Sequence, residues 1–329
     1  MTLKPWGTIG WLLPRIGVEH WHLVTSSSFE DRCHGLTEWM LAQNRPIDSS
    51  VLLRITNPPS EFWEKAAPIV EQNFGVMQRH LTGPRHHVIN AQLLSQLGAL
   101  CTADSLNPEQ SESVILDIST LPKRFFLFAF KQLVNSAKVR NLVVIYSRAH
   151  EYPESALCEN ALPPAALQGF GRIEASIEKP RMIVGVGYVA LSVEELLDTA
   201  KYSTLDFIFP FPPASPAFRR NWDLLSMLMP NDIPRETEIH RIHGMDAFAV
   251  FERTLAWGQD RDLDLLPLGP KPHALGMAMA YMRLDGRAEL IYSQPQAYHY
   301  NYSRGISKDE NGHPQIFAYC LKRNGTPLF

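Results

Sequence analysis

Two separated stretches of the chain carry one pattern, and this repetition limits the fold more than any other feature of the sequence. Residues 114–152 read VILDISTLPKRFFLFAFKQLVNSAKVRNLVVIYSRAHEY, and residues 263–298 read LDLLPLGPKPHALGMAMAYMRLDGRAELIYSQPQAY. Each is an apolar run, a turn carrying Pro-Lys, a stretch of helical length, and a second apolar run closing on Ile-Tyr-Ser. A tyrosine follows at the same interval in both, Tyr152 after Tyr146 and Tyr298 after Tyr292. Lys123 and Lys271 occupy the same turn of each copy.

The pattern extends upstream. His22–Thr25, the polar stretch Ser26–Arg32 and the run Val51–Thr56 ending in Pro58-Pro59 match Met182–Tyr188, the stretch around Ser192–Leu197 and the run Leu205–Pro210 ending in Pro212-Pro213. A tryptophan-bearing helix is expected after each second strand, at Trp63 and at Trp222, and third strands at His87–Asn90 and His240–His243. Repeats are read first because they set the architecture. Two long copies make a duplicated domain, not a solenoid. The expected division is residues 1–160 and 161–329, a pseudo-symmetric pair bridged by the stretch Glu151–Pro180.

Short apolar, β-branched runs recur along the whole chain at 22–25, 51–56, 87–90, 114–118 and 141–146, then at 182–187, 205–210, 238–243, 263–268 and 288–292. Segments of helical length separate most of them. Apolar strands alternating with helices mark a parallel sheet covered on both faces. The fold class is therefore α/β, with two Rossmann-like halves and mainly parallel sheets. Right-handed crossovers gather the strand C-termini at one edge, where ligands of such folds bind.

Composition excludes several classes. The chain has 329 residues with 31 Lys+Arg against 34 Asp+Glu, and this balance lacks the basic excess that gripping duplex DNA demands. Cys33, Cys101, Cys158 and Cys320 are scattered without a CxxC pair. That is the usage of reduced thiols in a cytoplasmic protein, not of a disulfide framework or a zinc site. No window approaches the roughly 20 apolar residues of a membrane span. The opening MTLKPWGTIGWLLPRIG is broken by Pro5 and Pro14 and reads as a packed arm, not a signal peptide. GxGxxG, Walker A, GxSxG and zincin motifs are missing, so no cofactor or metal is called for.

The loops after the strands carry the chemistry. Asp117-Ile-Ser-Thr-Leu-Pro-Lys-Arg124 ends a strand and opens a helix. Ser119 or Thr120 is placed to cap that helix. Backbone N–H groups, Lys123 and Arg124 beside its positive end suit phosphate or another anion. The bland alternative is a plain cap with two solvated cations. The second copy offers Gly269, which permits close backbone approach, and Lys271. Ser26, Ser28 and Arg32 lie in the loop after the first strand; they either line the same cleft or cap a helix whose dipole Glu30 and Asp31 complement. Tyr146, Tyr152, Tyr292, Tyr298, Tyr300 and Tyr302 either stack on bases or pack against loop backbone.

The Asp117–Arg124 turn resembles the loop after the fourth strand of CRISPR-associated Rossmann-fold (CARF) sensor domains, in which an Asp/Asn-x-Ser/Thr turn is followed by Lys or Arg at the helix start. Ser26–Arg32 corresponds to that family's other ligand-contacting loop. Two such units in one chain resemble the SAVED sensors, which bind cyclic oligonucleotides. Leu121-Pro122 departs from the family's usual glycines. The resemblance implies a nucleotide- or oligonucleotide-binding sensor or regulatory subunit of an antiviral defence system that signals to a separate effector protein. Two alternatives stay open: a hydrolase or transferase acting on a nucleotide or nucleotide sugar, with Asp117 as general base, and an interaction scaffold with a degenerate ligand site.

Overall fold

Every one of the apolar runs becomes a strand of a parallel sheet. The central ones are buried on both faces, as an uninterrupted Val/Ile/Leu run requires, whereas His86–Gln92 and Ile239–Ile242 are half-exposed edge strands. The computed structural model describes residues 5–153, 157–173, 178–187, 201–211 and 237–329. The parallel strands of the first sheet are Trp21–Ser27, Ile47–Thr56, His86–Gln92, Ser113–Asp117 and Asn141–Ser147. Those of the second are Arg181–Gly185, Leu205–Pro210, Ile239–Ile242, Leu263–Pro267 and Ala288–Tyr292. Counted along the chain, both sheets run in the order 3-2-1-4-5. In the first, Val24 sits between Val51 and Leu116; in the second, Val184 sits between Phe207 and Leu266. The protein is an α/β protein with two Rossmann-like parallel sheets.

The chain forms two compact units, Met1–Pro153 with Gln296–Leu328, and Glu154–Pro295 with Phe329. This differs from the division at 160/161, which assigned the whole C-terminus to the later half. The reason is Ile316–Arg323, an apolar strand that pairs antiparallel with Asn141–Ser147 on one side and with Trp6–Thr8 on the other. Trp6 stacks on Tyr319 at 5.9 Å, so the N-terminal arm is packed, as expected. Lys322 Nζ donates to the carbonyls of Val134 (3.1 Å) and Ser136 (2.8 Å) at the end of helix Lys123–Asn135. Asn324 and Gly325, at φ 48° and 84°, turn the chain into a short hairpin with Thr326–Pro327. That is the positive-φ pair a type I′ turn needs.

Helix Lys123–Asn135 buries Phe125, Phe126, Leu127, Phe128, Phe130, Leu133 and Val134. Each such side chain contributes about 1.5–3 kcal/mol of burial, which anchors the helix whose first residue is Lys123. The four cysteines are free and buried, and among the described residues no His/Cys/Asp/Glu group is arranged to hold a metal ion. No helix among them is long and apolar enough to cross a membrane. Tyr188, Ser192–Leu197, Pro212-Pro213 and Trp222 lie outside the described residues.

His22, fully buried on the first strand, bonds through Nδ1 to Ser49 Oγ (2.7 Å) and through Nε2 to Leu106 O (2.8 Å). Burial lowers its pKa to about 4. A histidine held below its unfolded value contributes stability present above about pH 6.5 and lost as pH falls toward 4. The unfolded chain takes up the proton first, so about 2 kcal/mol should be gone by pH 5. Urea midpoints between pH 7.5 and 5 should fall accordingly, and a His22→Leu variant should flatten that slope; an equal slope in both proteins would assign it elsewhere.

Candidate functional site

In a sheet ordered 3-2-1-4-5, the connections leave strands 1 and 4 in opposite directions and open a crevice beyond their C-terminal ends. In the first unit these strands are Trp21–Ser27 and Ser113–Asp117. Ser26, Ser28, Arg32, Asp117, Ser119, Thr120, Lys123 and Arg124 therefore share one rim.

Most of the polar groups on that rim are turned inward. Ser26, Arg32, Asp117 and Ser119 are at most 2% exposed. Ser26 Oγ lies 3.1 Å from Thr120 Oγ1. Ser119 Oγ donates to Asp117 Oδ1 at 2.5 Å and accepts from the Ser147 N–H at 2.8 Å. Asp117 Oδ1 also accepts the Ser119 N–H (2.9 Å), and Oδ2 accepts from Thr25 at 3.4 Å. Neither Ser119 nor Thr120 caps the helix, contrary to the expectation. The N-cap is Pro122, with no side-chain bond, because Asp117 and Ser147 engage Ser119, and Ser26 engages Thr120, before the helix begins. Asp117 is 2% exposed and engaged by these bonds, which favours a structural role for it over that of a general base.

Arg32 follows the same inward logic. It donates through Nε (3.0 Å) and Nη2 (2.8 Å) to Glu30 Oε2 and through Nη1 to the Ser147 carbonyl (2.9 Å), with its guanidinium 5.6 Å from the Tyr146 ring centre. Burial is the largest single influence and works against its charge, but Glu30 together with Tyr146 and Tyr152 holds the pKa well above the ordinary value. Burial pushes Cys33 up to about 12, which makes it a poor nucleophile. Lys123 and Arg124 are only half-buried. Arg124 spans to the carbonyls of Leu93 (2.6 Å) and Ser95 (2.9 Å), fixing the loop beyond His86–Gln92, and burial lowers its pKa.

The returning segment Tyr298–Ile306 also lies along this edge. His299 meets Phe62, in the helix after the second strand, at 4.5 Å between ring centres. Tyr302 packs edge-on against Tyr152 (6.3 Å) and Tyr298 (6.0 Å). The Ser303 hydroxyl donates to Glu30 Oε2, and the Gly305 N–H to the Asp31 carboxylate at 3.0 Å. The signal was present as Tyr-His-Tyr-Asn-Tyr over 298–302, but nothing local says which sheet such a run will join.

In the second unit, Lys271 opens helix Lys271–Arg283 behind an N-cap Pro270, as Lys123 does behind Pro122. Both helices have 13 residues and no side-chain cap. Gly269 does permit a close approach, but the approaching backbone is the chain's own. A Cβ on Gly269 would lie 3.0 Å from Val186 O, and one on Gly187 only 2.1 Å from Leu268 O.

No protein-family model matches the sequence, and no curated protein does. Among solved structures, the chain is similar to a type III CRISPR defence DNA nuclease activated by cyclic oligoadenylate, with TM-score 0.49 and 9% identity over 83% of this chain. It spans 65% of that nuclease's chain. It is also similar to a putative universal stress protein from Pseudomonas aeruginosa (TM-score 0.24, 9% identity, 86% of this chain and 95% of that one) and to the precorrin-6A reductase CobK (TM-score 0.26, 10% identity, 84% and 89%). Likenesses of this degree carry no functional argument; the α/β assignment rests on the strand order and register described above.

Proposed function

We propose that the protein binds a nucleotide or oligonucleotide as a sensor or regulatory subunit of an antiviral defence system, passing its state to a separate effector. The observation that carries this reading is the matched helix entry. Lys123 and Lys271 each stand at the first residue of a 13-residue helix, just beyond the fourth strand of a 3-2-1-4-5 sheet. Backbone N–H groups and a lysine at such a helix start favour a phosphate. The common strand order is read as the trace of an internal duplication. The ligand-facing groups of the first rim are Lys123 and Arg124, with Ser28 and Thr120 at its margin. Arg32, Ser26, Ser119 and Asp117 shape the rim from beneath, and Gly269 seats the loop that carries Lys271.

Isothermal titration with mono-, di- and cyclic nucleotides, cyclic oligoadenylates included, tests the reading. A charge-assisted hydrogen bond contributes about 1.5–3 kcal/mol, so Lys123→Ala and Lys271→Ala should each weaken binding about tenfold or more with little effect on folding. Unchanged affinity in the double variant would remove both lysines from the site. A folded sample that binds nothing in the panel would overturn the reading.

A further inference from the structure

We propose that Phe62, His299 and Tyr300, with Lys65, form a nucleobase-stacking subsite at the strand C-terminal edge of the first unit; this rests on the nucleotide-binding reading above. The three rings make one series. Phe62 and His299 are 4.5 Å apart, and His299 and Tyr300 are 5.7 Å apart at an interplanar angle of 28°. Lys65 Nζ lies 6.0 Å from the Tyr300 ring centre. A packing cluster would close these rings off from solvent, yet all three are only half-buried and Lys65 is exposed.

The rings are also held in place before any ligand arrives. Ser60 caps the helix that carries Phe62 and Lys65 by accepting the Trp63 N–H at 3.1 Å. His299 Nδ1 donates to Asn301 Oδ1 at 2.7 Å, and the Tyr302 N–H closes a turn onto the His299 carbonyl at 3.0 Å. With Nδ1 engaged, Nε2 is left as an acceptor, the partner an exocyclic amino group of a base needs. Lys65 is paired with Glu61 at 2.6 Å across one helical turn, an exposed pair easily given up to a phosphate. Tyr298, one residue before His299, lies near Arg124, so the platform adjoins the cationic side of the rim. A base on the platform with its phosphate toward Arg124 and Lys123 would use both chemistries.

The test compares AMP with ribose 5-phosphate, which keeps the phosphate and lacks the base, by titration calorimetry on the full chain. Base–aromatic stacking adds about fivefold to a hundredfold in affinity. AMP should therefore bind at least about fivefold more tightly than ribose 5-phosphate. His299→Ala and Phe62→Leu should remove that margin while leaving ribose 5-phosphate binding unchanged, and His299→Phe, which keeps a ring there, should retain it. If AMP binds but shows no margin over ribose 5-phosphate, or keeps its margin in folded His299→Ala, the subsite is wrong and the nucleotide-binding reading survives. If neither probe binds at millimolar concentration, while a cyclic nucleotide does, the subsite alone falls; if no nucleotide binds, both fall.

Discussion

Replacing Arg32 by methionine is expected to destabilise the first unit by about 3–5 kcal/mol, the range for removing one partner of a buried ion pair. Arg32 and Glu30 are 2% and 5% exposed. The substitution leaves the Glu30 carboxylate enclosed, with Ser303 still donating to it but no positive charge beside it. It also frees the Ser147 carbonyl and withdraws the guanidinium from the face of Tyr146. Adding Glu30→Gln should recover part of the loss, because a neutral amide costs less to bury than an unpaired carboxylate. Urea unfolding of the single and double variants measures both steps. If Arg32→Met stays within about 1 kcal/mol of the parent, the pair is as weak as a surface one, and Arg32 is then available to face a ligand.

Arg32 illustrates where a sequence stops being informative. The polarity of Ser26–Arg32 is plain in the sequence, but the strand runs through Ser27 and Arg32 lies in a short 3-10 turn, so only Ser28–Glu30 form the loop expected there. Which way the groups of this stretch turn depends on Ser147 and Ser303, residues far off in the chain, so no local pattern encodes it. Asp117-Ile-Ser-Thr behaves likewise. A hydroxyl before a helix reads as a cap, but the Ser147 N–H donates to Ser119 once the fifth strand is in place. The parallel strands were legible because burial on both faces leaves a continuous apolar run, as in Leu142–Ile145. Ile316–Arg323 was also largely apolar and carried an Asn-Gly hairpin signal after it, but it joins the first sheet across the length of the chain, and that pairing has no sequence period. The tyrosines of Tyr298–Ile306 stand out in the sequence as candidate stacking groups, but their place beside Phe62 and Glu30 follows from that same long-range return.

In the second unit the largest single effect is expected from Gly187→Ala. An ideal Cβ there would stand 2.1 Å from Leu268 O, 2.6 Å from Leu268 C and 2.8 Å from Gly269 Cα. All three contacts are backbone, so no side chain can rotate away; the loops after the first and fourth strands must separate. Overpacking of this kind costs about 1–3 kcal/mol, and a backbone obstacle places this case at the upper end. Hydrogen exchange should then quicken at the Val186 N–H, bonded to Ile208 O, and at the Leu268 N–H, bonded to Leu266 O. Gly171→Ala is the control, since nothing lies within 4 Å of its Cβ, and loss of unfolded-chain entropy should leave that variant neutral or slightly more stable. Because Lys271 begins two residues beyond Gly269, prying these loops apart should also weaken any anion bound there, whereas Gly171→Ala should not. Equal stability and equal exchange in the two variants would show that the loops part without cost, and Gly269 would then be open to a ligand after all.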